Sequence, residues 1–117
     1  MDLFSDIKLE AASLGQDLLV TITGGEVHIG AASTAYWTQG NVEVQTSAVP
    51  GHKEHVLTGM LAQRAAEYLR CTVTVVMGIH YDNLSRTEIE QISERTEQLM
   101  ENYLQLAERR SGDEHHE

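Results

Sequence analysis

Halfway along the chain the spacing of apolar residues changes period, from two to between three and four. A strand alternates its side chains between two faces, and a helix returns to one face every 3.6 residues. The switch therefore separates a β half from a half that contains helices. In the first half Ile7, Leu9 and Ala11 alternate with Lys8 and Glu10. Gly15 and Gln16 make a turn into "DLLVTIT", a stretch rich in β-formers. Gly24-Gly25, between apolar runs, reads as a two-residue hairpin, and "EVHIGAASTAYW" as a third strand. Gly40-Asn41 turns the chain into "NVEVQTSAV", where Val42 and Val44 alternate with Glu43 and Gln45. Four strands with short links predict a four-stranded antiparallel meander.

In the second half Val56, Leu57, Met60, Leu61, Ala65, Tyr68 and Leu69 form one helical stripe over residues 53–70. "CTVTVVMGI" follows, a β-branched run that predicts a well-buried strand. Ser85 with Glu88 three residues on is a capping box, and Leu84 with Ile89 is its hydrophobic staple. The last stripe runs through Ile92, Leu99, Met100, Tyr103, Leu104 and Ala107. The order β-β-β-β-α-β-α is that of an α+β fold. Its first helix reads as a crossover that sets the fifth strand parallel to the fourth. The C-terminal helix is long enough for part of it to pack on a second subunit. Residues 1–108 read as a single α+β domain and 109–117, "RRSGDEHHE", as a disordered acidic tail, which takes His115 and His116 out of the chemistry.

At 117 residues the chain has room for one core. Its 18 acids against 8 bases give a net charge of −10, which repels phosphate backbones and anionic membranes. A small anionic ligand is still compatible, because a local site can oppose the global field. Cys71 is the single cysteine, so there is no intrachain disulfide, and its place before an apolar run suits a buried structural thiol. "MDLFSDIKLE" has neither a basic nor an apolar signal region, and no apolar run reaches the length of a membrane span. A cytoplasmic location is expected.

Candidate chemistry gathers where glycines and histidines meet element ends. His28 follows Gly24-Gly25, His52 follows Pro50-Gly51, and His80 follows Gly78 at the end of the buried strand. "VPGHKEHVL" opens a helix, where free backbone N–H groups and the dipole favour an anion. Gly51 lets a ligand approach the backbone there, and His52 and Lys53 can add charge-assisted hydrogen bonds. A Pro-Gly turn into a helix with solvated charges accounts for the same residues. His52 and His55 are three apart, and His28, His80 or Asp82 could complete a metal site, yet no zinc-protease glutamate or cysteine pair accompanies them. His80 and Asp82 suit acid–base work, but no nucleophile stands out. Asp82, Asn83 and Ser85 also suit a turn and a cap. Tyr36 and Trp37 face opposite sides of a strand, and Trp37 fits an ordinary core or edge role. "TGGEVHIG" lacks the GxGxxG spacing of a nucleotide fingerprint.

Taken together, "GGEVHIGAAS", "VPGHKEHVL" and "MGIHYDNLSRTEIEQI" resemble one family over roughly residues 18–105. They are similar to the small D subunit associated with gallate and protocatechuate-type decarboxylases, the LpdD-like prenylated-flavin chaperones. The resemblance implies a non-catalytic accessory protein. Such a protein binds, stabilises or delivers prenylated FMN, an FMN-type flavin, to a UbiD-type decarboxylase catalytic subunit, with a flavin prenyltransferase as a further partner. It also implies a fold similar to small proteasome-assembly chaperones and a homodimer. The site candidates in the matching blocks are Gly24, Gly25, His28, Gly30, Gly51, His52, Lys53, Gly78, His80 and Asn83. The flavin phosphate suits residues 51–53, and His28 and His80 suit the ribityl chain or ring. A cofactor-free assembly subunit of a decarboxylase complex is the alternative, and a small metal-dependent or acid–base enzyme a third reading.

Overall fold

The computed structural model describes residues 4–51 and 54–114, with side chains as far as residue 108. The elements come in the expected order: β1 (Lys8–Leu14), β2 (Asp17–Gly25), β3 (Ala31–Thr38), β4 (Asn41–Ala48), α1 (His55–Leu69), β5 (Val73–His80) and α2 (Arg86–Glu114). The backbone helix of α2 thus continues into the stretch that reads as a tail, as far as Glu114. The fold is α+β, with one mixed sheet of five strands.

The sheet order is β1-β2-β5-β3-β4, and this corrects the meander. β1 pairs antiparallel with β2, and β3 with β4. β5 enters between the two pairs, parallel to β2 and antiparallel to β3. It therefore points the same way as β4, as the crossover reading requires, but β3 separates the two. The reason lies in the composition of β5. A run of β-branched and apolar residues needs neighbours on both edges, so the latest strand takes the middle of the sheet.

The Gly24-Gly25 hairpin is overturned for the same reason. Gly24 pairs with Ile79 and Gly25 with His80, both on β5. Residues 26–30 then cross the end of β5 to reach β3, which begins at Ala31 and not at Glu26. The first of the other two turns forms as expected, and the second forms one residue earlier than Gly40-Asn41, because Asn41 already pairs in β4. Leu14 pairs with Asp17 across Gly15-Gln16, and Thr38 with Asn41 across Gln39-Gly40, where φ is +52° and +82°. Two positive φ values in a two-residue loop match the twist of the flanking strands.

One face of the sheet carries the core. Val20 and Ile22 of β2, Val73, Val75 and Met77 of β5 and Ala35 of β3 are all fully buried there. Each large aliphatic side chain so buried contributes roughly 1.5–3 kcal/mol. Ala62, Ala65 and Ala66 bring α1 close to the sheet, and Met100 and Leu104 bring in α2. A polar seam crosses this contact: buried Ser33 Oγ lies 2.7 Å from both Thr46 Oγ1 and Thr58 Oγ1. Arg64 of α1 donates to Glu101 of α2 at 2.7 Å, which ties the helices together at the surface. Trp37 is half-buried and donates its Nε1–H to the Ala66 carbonyl at 3.0 Å, the structural role expected of it. Cys71 is half-buried too, and burial pushes its thiol above the ordinary value. No helix among the described residues is long and apolar enough to cross a membrane.

α2 starts as its sequence predicts. Ser85 Oγ accepts from the Glu88 N–H at 3.1 Å, and the Glu88 carboxylate accepts from the Ser85 N–H at 3.0 Å. Such a cap is worth about 1 kcal/mol. It fixes where α2 begins, directly after the 81–84 loop that follows β5. The start of α1 lies at the same end of the sheet, because Glu54 reaches β5 at Ile79.

Candidate functional site

Five structural features meet at that end: the C-terminal ends of the parallel strands β2 and β5, the 26–30 loop, and the starts of both helices. Strand ends of this kind are common ligand positions, because short loops there are held by a rigid sheet. β3 stops pairing with β5 at Ala31–Met77, so the next stretch of β5 has a free edge on that side. Gly30 closes the ladder by donating to the Met77 carbonyl at 2.9 Å. The Ile79 N–H then donates to Glu54 Oε2 at 3.4 Å.

The loop brings His28 over β5. A β-carbon built on Gly78 would lie 1.4 Å from the His28 carbonyl oxygen, so only glycine lets the loop lie this low. Gly25 has φ +64° and sits against the His80 carbonyl, and the Glu26 N–H donates to that carbonyl at 3.0 Å. These contacts set the His28 and His80 rings edge to face, with centroids 6.1 Å apart. Together with Glu26, Val27 and Ile29 they line an open pocket of about 390 Å³.

Each imidazole has a carboxylate beside it. Glu54 Oε2 lies 3.6 Å from His28 Nε2, and Asp82 Oδ1 lies 3.1 Å from His80 Nε2. The corner therefore pairs each imidazole with an acid. Glu54 precedes the first turn of α1 and makes no side-chain cap bond; its carboxylate turns to β5 and packs against Gly30. A carboxylate at this end of a helix is favoured by the dipole.

A second hollow opens from the same place. Between the starts of α1 and α2, over the end of β5, lies a cleft of about 320 Å³ lined mainly by aliphatic side chains. Leu57, Ile79, Leu84 and Ile92 form its inner wall, Val56 and Ile89 its rim, and Glu54 belongs to it as well as to the histidine corner. On the far side of Gly25, Asp6 accepts from the Gly25 N–H at 2.8 Å and from the Tyr81 hydroxyl at 2.5 Å. Phe4 packs edge-on against Tyr81 at 4.9 Å. The chain ahead of β1 is thereby latched to the loop that leads into α2.

The sequence-derived candidates thus fall into distinct positions. Gly24, Gly25, His28, Gly30, Gly78 and His80 come together at the strand ends. Gly24 faces Ile7 and the Tyr81 hydroxyl. Asn83 is exposed, and its left-handed backbone, φ +57°, explains the residue type as a turn former. Gly51 is exposed with φ +88° and open space beyond it, so its backbone angle requires glycine. His52 and Lys53 lie outside the described residues. His55 is exposed, as the first residue of α1. Among the described residues no group of three or more His, Cys, Asp or Glu side chains is arranged to hold a metal ion. Sequence reasoning missed Glu54, Asp6, Tyr81 and the aliphatic cleft. Leu84 and Ile89 were visible in sequence, but as a staple and not as a wall.

Residues 4–108 match the family model of the prenylated flavin chaperone LpdD-like domain. The chain belongs to that family. Protein LpdD of Lactiplantibacillus plantarum is 29% identical to it over 89 residues, which covers 74% of this chain and 65% of the relative. The match to the LpdD-like domain takes in the whole sheet, both helix starts and every described residue of the histidine corner.

Proposed function

We propose that this LpdD-like chain is a non-catalytic accessory protein that binds prenylated FMN and hands it to a UbiD-type aromatic-acid decarboxylase. The observation that carries the reading is the match of residues 4–108 to a family described as prenylated flavin chaperones. The chemistry of the corner supports it. A flavin is a flat ring with polar edges, and it suits a site that offers imidazoles and backbone groups on one side and aliphatic walls on the other. His28 and His80 would contact the ring or ribityl chain. The phosphate would go to residues 51–53, ahead of α1, where the helix dipole favours an anion and His52 and Lys53 would supply charge. Gly24, Gly25, Gly30 and Gly78 would act by letting the 26–30 loop, His80, Glu54 and Tyr81 pack closely at the strand ends and so shape the site, and Asn83 would flank it. A dimeric state, kinship with small proteasome-assembly chaperones and a cytoplasmic location are part of the same proposal.

The test is transfer. The purified chain is mixed with prenylated FMN made by a flavin prenyltransferase, freed of excess ligand, and added to a decarboxylase lacking cofactor. Flavin absorbance that elutes with the chain and then restores decarboxylase activity is the expected result. Co-elution of chain and decarboxylase with no flavin bound would instead support a cofactor-free assembly subunit.

A further inference from the structure

Both helices pack on one face of the sheet, and among the described residues no helix or strand covers the other face. Leu19 and Thr21 of β2 lie there beside Thr74 and Val76 of β5, which pair in turn with Thr34 and Ala32 of β3. None of these six is charged, although the chain carries 18 acids and 8 bases. A sheet face that meets water ordinarily shows the opposite, with polar residues alternating out against apolar residues in. Charge begins only on the edge strands, with Lys8 and Glu10 on β1 and Glu43 on β4. An uncharged centre inside a charged rim is the composition of an interface. The 26–30 loop borders the same face. Gly78 alternates with buried Met77 and so faces outward, and the loop passes directly over it at His28. Val27 and Ile29 of that loop are 66% and 65% exposed.

We propose that the open sheet face receives the same face of a second copy of this chain, which also covers Val27 and Ile29 at its border. The inference rests on the dimeric state proposed above, for which it supplies the surface, and not on the flavin assignment. Pairing about a two-fold axis sets one patch against itself, so a charged centre would repel its own image and an uncharged one does not. Two sheets pack face to face at about 10 Å, a gap that short side chains such as Ala, Thr and Val fill. The size fits as well. The five strands have seven to nine residues each. At about 3.3 Å per residue and about 4.8 Å between strands, they make a face of about 600 Å². Two copies bury about 1,200 Å² before the loop is counted, which is the lower limit for specific stable complexes. A nucleic acid or an anionic membrane would meet no cation at the centre and a net charge of −10 behind it.

The experiment measures the mass of the full chain in solution, by light scattering after size exclusion, over a dilution series. Wild type should be a dimer. Thr21→Lys and Thr34→Lys each set a charge near its own image, and should weaken the dimer at least tenfold with unchanged far-UV circular dichroism. Glu97→Lys, on the exposed side of α2, should leave the dimer unchanged. A wild type that is monomeric throughout overturns both this inference and the dimeric state. A dimer that survives both sheet variants, or that Glu97→Lys breaks, overturns the face and leaves the dimer standing. Zero-length cross-linking of mixed isotope-labelled and unlabelled wild-type chains decides the matter if the lysine variants do not fold. Lys8 of one copy should join Glu10 or Glu43 of the other. Links from Lys8 to the acids of α2 in their place, or none between isotopes, overturn the proposal.

Discussion

No side chain fits at Gly78, because the chain at His28 passes where its β-carbon would be. That carbon would fall 1.4 Å from the His28 carbonyl oxygen and 2.4 Å from its carbonyl carbon. Backbone cannot swing aside as the end of a side chain can. Gly78→Ala should therefore cost about 3 kcal/mol of folding stability, the upper range for overpacking. The measurement is the denaturant midpoint at constant m-value. A loss below about 0.5 kcal/mol would mean that the loop does not press on β5.

The latch between Asp6, Gly25 and Tyr81 makes stability depend on pH at both extremes. The Tyr81 hydroxyl, then the Gly25 N–H, hold the Asp6 carboxyl below its ordinary value of 3.8. The unfolded chain therefore takes up that proton first, so this contribution is intact above pH 3.8 and is lost as pH falls below it. Burial, then the Asp6 carboxylate, push the Tyr81 hydroxyl above its ordinary value of 10.0. Its contribution is intact below pH 10 and is lost as pH rises from there toward the raised value. Asp6→Ala should lower stability near neutrality by about 1 kcal/mol and flatten the acid limb of the profile. Thermal midpoints across the pH range check this. An acid limb identical to wild type would remove Asp6 from the account.

Much of the fold was legible because it is written in local patterns. The period switch marked all seven elements, and the Ser85–Glu88 box placed the start of α2. Strand directions followed from turn lengths and the crossover. Strand neighbours did not, since pairing between β2 and β5 joins residues far apart in sequence, and the apolar run in β5 says only that it is central. The same limit applied to the site. Gly25, His28, Gly30, Gly78 and His80 stood out by type, but nothing local aims the Glu54 carboxylate at β5. Glutamate before a helix reads as a solvated charge, and it takes the edge of β5 beyond Met77 and the His28 ring, both distant in sequence, to give it partners.

The phosphate assignment separates from the rest of the site. If residues 51–53 hold the flavin phosphate, Lys53→Ala and His52→Ala should weaken prenylated FMN at least tenfold and its dephosphorylated form less than twofold. Titration of each variant with both ligands reads this directly. Equal losses for both ligands would move the phosphate away from the start of α1.

The central claim is that the paired imidazoles at the ends of β2 and β5 form a flavin site, and titration of the purified chain with prenylated FMN tests it most directly. Wild type should bind saturably, and His28→Ala and His80→Ala should each bind at least tenfold more weakly with unchanged thermal midpoints. Absence of saturable binding by wild type, or wild-type affinity in both variants, would contradict it.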